Sequence, residues 1–155
     1  MLNLIGDREY QFLLNMEDEK IRLGGRLVLL LFNEYIVNKI LQEKTQTFSD
    51  AIEIFGLFEY SDGRNVEESE QGKKTTIDAI IRFSKISIDK INKNLKIGDI
   101  VRIPLSNDYK DGDEYQEFTI LTIKHIVKEK EFLERVMSYE CELQYVSSRK
   151  LQSQR

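Results

Sequence analysis

One cysteine, one histidine and one proline are all that this chain holds of three residue types on which whole protein classes depend. A lone Cys141 excludes a disulfide scaffold, which needs paired cysteines at set spacings. A lone His125, set between Lys124 and Ile126, leaves no partner set for zinc and no motif in which a serine or cysteine is activated by it. Long hydrophobic runs are also missing. The longest, Leu27 to Phe32, spans six residues before Asn33 and Glu34 close it, against the roughly 20 that a membrane-spanning helix requires. The first residues, Met1-Leu2-Asn3-Leu4-Ile5-Gly6-Asp7, lack the basic region and apolar stretch of a secretory signal, so a reducing compartment and a free thiol are expected. Positive charge is scarce too. With 23 Lys and Arg against 27 Asp and Glu, the net charge of −4 is the reverse of a nucleic-acid grip.

What is there fits one soluble domain: 155 residues, 41% hydrophobic and 32% charged. The charge is unevenly placed. Glu59 to Glu70 and Leu105 to Glu117 each net −4, while Arg149, Lys150 and Arg155 form a short basic tail.

Periodicity divides the chain into three parts: 1–47, an N-terminal arm and helical segment; 48–147, a β-barrel-like domain; 148–155, the basic tail. In the arm, Tyr10, Leu13, Leu14 and Glu17 fall at helical spacing before an acidic stop, Glu17-Asp18-Glu19. Gly24-Gly25 breaks the chain. A helix is then expected over Arg26 to Lys44, where Phe32, Ile36, Val37, Ile40 and Leu41 recur. A strand is the competing assignment, because Leu27 to Phe32 is apolar all round. That run must be buried or meet another chain, which makes Leu27, Leu29, Leu31 and Phe32 candidate interaction residues.

From Phe48 the period becomes two. Ile52, Ile54, Phe58 and Tyr60 alternate with Glu53, Phe55, Leu57 and Glu59, and Ser61-Asp62-Gly63 turns the chain. A loop over Asn65 to Lys74 leads to a strand, Thr75 to Phe83, and then a short helix capped by Ser87. Lys96-Ile97-Gly98-Asp99 reads as a turn into the strand Ile100 to Ile103, which Pro104 ends. An acidic loop, Leu105 to Glu114, precedes the strands Phe118 to Val127 and Ser138 to Val146. In the last, Tyr139, Cys141, Leu143 and Tyr145 alternate with polar residues. The fold class is mainly β (α+β), a small β-barrel or sandwich with long loops plus an N-terminal helical segment.

Chemistry has little to work with. Cys141 shares a strand face with Tyr139 and Leu143, the setting of an inert core thiol. A calcium loop on Asp111-Gly112 would place Tyr109 and Phe118 at ligand positions that need oxygen donors, so the pattern fails. Glu59 and Asp99 have no spacing that recommends them as an acid/base pair. No enzyme activity, metal or cofactor is expected.

The ordered segments Phe48 to Tyr60, Ala79 to Ser84, Leu95 to Arg102 and Phe118 to Ile123 resemble the neck proteins of tailed bacteriophages, the head-closure, stopper or head-completion family. The shared features are a first strand ending in the acidic-aromatic pair Glu59-Tyr60 and a second strand before a short helix. A Lys-x-Gly-Asp turn carrying Gly98 and Asp99 follows, then a segment Tyr115 to Ile120. The segment Arg26 to Lys44 has no counterpart in that pattern. The resemblance implies a non-catalytic virion protein, assembled in the host bacterial cytoplasm. It implies a self-associated ring of roughly 6 or 12 copies between the portal or adaptor protein and the tail terminator or other neck proteins. DNA would pass through without specific binding, and no membrane is involved. Acidic side chains facing a lumen, Asp108, Asp111, Asp113 and Glu114, would repel phosphates, or else would meet the next ring. The competing reading is a cytoplasmic β-barrel module that takes a peptide or small ligand along an exposed sheet edge.

Overall fold

The computed structural model describes residues 6–38, 40–41, 43–61, 76–105, 114–127 and 135–150. Its elements run α1 (Asp7–Gly24), β1 (Arg26–Leu31), β2 (Asn33–Asn38), β3 (Glu43–Phe48), β4 (Ile52–Tyr60), β5 (Ala79–Ser84), α2 (Lys85–Ile91), β6 (Ile100–Pro104), β7 (Glu114–Val127) and β8 (Val136–Lys150). Six strands close a barrel in the order β1-β4-β5-β8-β7-β6, every pairing antiparallel, while β2 and β3 form a separate two-stranded hairpin. The chain is therefore a small β-barrel with an N-terminal helix, as its period-two strands predicted. Closure gives every barrel strand a neighbour on both sides, although β7 beyond Ile120 and β8 beyond Leu143 form ladders only with each other.

The expected helix over Arg26 to Lys44 is overturned: that segment is β1, β2 and β3. The reason is burial on both faces. Val28, Leu30 and Phe32 point into the core with 0–1% exposure, and Leu29 and Leu31 on the other face are also buried. A strand covered on both sides loses its alternation and reads as an unbroken apolar run. The barrel accordingly begins at Arg26, inside the part assigned to the arm, rather than at 48. The helix lies earlier, in the arm itself. Glu17-Asp18-Glu19 does not stop it; Asp18 is buried on its inner face with Leu14 and Ile21, at i, i+4 and i+7. Asp7 and Glu9 in its first turn and Arg22 in its last suit the helix dipole.

Smaller corrections follow the same logic. Ser84, not Ser87, caps α2: its side chain accepts the Ser87 amide, and Asn92 ends the helix at φ 63°. Strand β8 extends from Val136 to Lys150, so the backbone of 148–150 belongs to the barrel's last strand and not to a separate tail. Strand β7 starts at Glu114, the last residue of the expected acidic loop.

The core is the barrel interior. Val28, Leu30, Ile54, Ile81, Phe83, Val101, Ile103, Phe118, Ile120 and Leu143 form one buried cluster, with Cys141 among them and Ile88 of α2 against it. Helix α1 packs across β4, β5 and β8. Gly25 makes the junction from α1 into β1 possible, because a Cβ there would lie 2.4 Å from the carbonyl oxygens of Gly56 and Ile21.

Candidate functional site

The turn singled out by its Lys-x-Gly-Asp pattern is a structural clamp. Gly98 adopts φ +99°, a conformation that side-chain-bearing residues avoid. Asp99 is fully buried. Its carboxylate accepts the Lys96 amide at 2.7 Å and the Asn33 amide at 2.8 Å, and the Lys96 ammonium lies 3.7 Å away. One acid thus holds both its own turn and the first residue of β2. Around it, Gly98 donates to Ile120 and Ile120 donates to Asp99, both backbone bonds at 2.9 Å, so the clamp continues into β7.

The same clamp fixes the base of the hairpin. Phe32, between β1 and β2, donates its amide to Ser49 Oγ at 2.9 Å and accepts the Ser49 amide at 2.8 Å. The Lys93 and Lys96 ammonium groups lie 5.4 and 5.6 Å from the centre of its ring. Lys93 also bonds Glu34 at 2.9 Å. At the far end the hairpin turns through Ile40 and Leu41, exposed to 92% and 61%.

Of the candidate interaction residues, Phe32, Leu29 and Leu31 are buried and Leu27 half-buried within the single chain. No second subunit is needed to hide them. Of the acidic candidates, Glu114 opens β7 as an exposed residue whose carbonyl accepts the Leu105 amide; Asp108, Asp111 and Asp113 lie outside the described residues.

Helix α1 supplies two features that composition alone left unseen. Its inner face is locked by Asp18, which accepts Ser84 Oγ at 2.6 Å and Ser87 Oγ at 3.1 Å and pairs with Arg22 at 3.2 Å. The carboxylate therefore ties α1 to the capping residue of α2. Its outer face exposes Phe12 (63%), Met16 (51%) and Leu23 (79%). Their spacing of 4 and 7 residues is a single helical stripe opposite Leu14, Asp18 and Ile21. That spacing was present in the sequence and gives the signal by which the stripe is found.

One end of the barrel is aromatic. Phe58, Tyr60, Phe118 and Tyr145 contact in series with ring centres 5.0 to 5.7 Å apart. Arg26, on the strand face of Val28 and Leu30, donates to the Pro104 carbonyl, and burial lowers its pKa. Cys141 is fully buried, and desolvation pushes its thiol up to about 12. His125 is exposed, edge-on to Tyr139 at 5.2 Å. Glu59 is exposed on the outer side of β4, whereas Asp99 is buried, so the two do not face a common solvent-accessible site. Among the described residues no group of three His, Cys, Asp or Glu side chains is placed to hold a metal ion. Nor is any helix among them long and apolar enough to cross a membrane.

No family model, curated protein or solved structure matches this chain.

Proposed function

We propose that this chain is a structural protein of a tailed-phage virion neck, a ring-forming head-closure component that binds the portal or adaptor on one side and tail or other neck proteins on the other. The observation that carries the reading is the position of the resembling segments. They fall on consecutive elements of one closed barrel: β4, β5 with α2, the Gly98-Asp99 turn into β6, and β7. That order is similar to the one the resemblance implies, a small barrel with long loops, and the long acidic connections of this chain lie between those same strands. In this reading the role is mechanical. The barrel supplies a rigid body, and the acid-rich loop holding Asp108, Asp111, Asp113 and Glu114 serves either the DNA path, where its charge would keep phosphates moving, or the contact with the next ring.

Mass measurement and electron microscopy of the purified chain, alone and mixed with portal and tail proteins of a tailed phage, test the proposal. A closed ring that joins the portal or the tail is the expected result. A chain that stays monomeric in that mixture would overturn it.

A further inference from the structure

Strand β7 outruns its neighbour β6. As far as Ile120 it has a partner on that side, first in the ladder from Pro104–Tyr115 to Ile100–Thr119, then in the backbone bonds that Gly98 and Asp99 share with Ile120. There the neighbouring chain leaves. Gly98, at φ +99°, and the turn from Lys96 to Asp99 take it off the sheet toward α2. Thr122 to Val127 therefore pairs with β8 on one edge, and on the other its backbone groups have no partner among the described residues. That open edge is roughly 20 Å long, the length of an ordinary strand.

Side-chain chemistry narrows the occupant. Ile123 lies opposite Cys141 and packs against the barrel core, whereas Lys124 lies opposite Glu140 on the outer face. The Lys124 side chain is 67% exposed, and its ammonium reaches Glu140 only at 4.0 Å, the outer limit of an ion pair. His125 beside it is exposed too. The β-branched Thr122, Ile123, Ile126 and Val127 suit strand pairing, and no acid stands among them. A second copy paired antiparallel over these same residues would set Lys124 against His125 twice, with no carboxylate on either edge to meet them. Cross-strand pairs need opposite charge, and like charges facing each other destabilise a sheet. A strand with an apolar residue beside Ile123 and a carboxylate beside Lys124 meets both requirements.

We propose that the open edge of β7, Thr122 to Val127, takes up an extended acidic segment of a partner protein as an added strand, antiparallel to β7 and in line with β6. In this mode main-chain hydrogen bonds give affinity and alternate side chains give selectivity, here apolar inward and acidic outward. A lone lysine on an edge can instead serve to repel stray strands, and the experiment separates the two roles.

The full isotope-labelled chain is titrated, under nuclear magnetic resonance, with two short capped peptides, one alternating valine with glutamate and the other valine with lysine. At about millimolar glutamate peptide, saturable shifts are expected at the Thr122 to Val127 amides, with slowed hydrogen exchange at those of them that do not bond β8. The lysine peptide should bind about three- to tenfold more weakly, the scale of an exposed charge pair turned from attraction to repulsion. Lys124→Glu, at an exposed position, should reverse the preference. Absence of shifts at Thr122 to Val127 with both peptides would overturn the proposal and leave Lys124 as a guard of the edge. Equal binding of the two peptides would overturn the acidic segment. Doubled mass, with the same amides protected before any peptide is added, would overturn it in favour of a second copy. None of these outcomes depends on ring formation, so the neck reading stands or falls separately.

Discussion

The carboxylate of Asp99, at the entry to β6, accepts the backbone amide of Asn33, the first residue of β2, across 66 positions of sequence at 2.8 Å. The bond joins the separate hairpin to the barrel, because β2 and β3 pair with each other and with no barrel strand. Two elements with no shared ladder are thus connected through one buried acid. A two-stranded hairpin is marginal alone, so its orientation depends on contacts of this kind at its base.

Asp99→Ala therefore removes the acceptor of two backbone amides, those of Asn33 and Lys96. A hydrogen bond to a charged group contributes about 1.5 to 3 kcal/mol, and the expected loss of stability is about 3 kcal/mol. Asp99→Asn keeps one acceptor oxygen and should lose about half as much. Urea unfolding measures the loss, and amide exchange at Asn33 and Lys96 locates it. Unchanged exchange at Asn33 would show that the hairpin base is held by other groups.

Leu29 and Leu31 were candidates for a subunit boundary, and their burial in the single chain changes what a substitution does. Placing Asp at both positions buries one carboxylate opposite Arg102, which is already paired with Glu117, and another opposite Ile100, on the outer face of β1. The double variant Leu29→Asp, Leu31→Asp should fail to fold, losing its β-sheet circular dichroism, instead of giving a folded monomer. A folded monomer that has lost only its ring would return these residues to the interface.

Much of this architecture was legible where polar residues alternate with apolar ones. Tyr139, Cys141 and Leu143 interleave with Glu140 and Glu142, and the strand could be assigned from period alone. Leu27 to Phe32 has no such interleaving, because both faces are covered, and its period carried no information. Asp18 misled for a related reason. In an acidic triplet it looked like a solvated stop, yet its acceptors' partners are Ser84 and Ser87, more than 60 residues away. Gly98 and Asp99 showed a turn by residue type, but the clamp depends on Asn33, and a one-dimensional reading does not hold that pair together. The stripe Phe12, Met16 and Leu23 was within reach, since it needs the helix alone.

Cys141 gives a pH prediction with a definite sign. Burial raises its thiol from an ordinary 9.0 to about 12 in the folded chain. The folded state therefore keeps its proton where the unfolded state has lost it, and stability is full below pH 9 and falls between pH 9 and about 12. The slope from this group reaches about 1.4 kcal/mol per pH unit. Cys141→Ser titrates nothing in that range, so its stability should decline less steeply than that of the native chain above pH 9. Parallel curves would show that the thiol is not desolvated. At pH 8 thiol reagents should label the native chain only as fast as it unfolds.

The acidic loop carries the last prediction. Asp108, Asp111, Asp113 and Glu114 sit between β6 and β7, whose ends are joined by the Leu105 to Glu114 backbone bond at 3.0 Å. Glu114 is exposed, and an exposed carboxylate contributes little to stability, because water screens it. Replacing all four with Asn or Gln should therefore leave the melting temperature within about 2 °C of the native value, by the usual scale of surface substitutions. The two functional roles then separate. If their charge repels DNA along a channel, rings should assemble and attach normally, but genome release should slow, and the defect should shrink as salt screens the path. If they dock onto basic groups of the next component, attachment itself should fail, and adding salt should not restore it. Normal assembly together with normal infectivity would remove both roles and leave the loop as solvated surface. A melting temperature lowered by ten degrees would show instead that the carboxylates are structural, like Asp99 and Asp18.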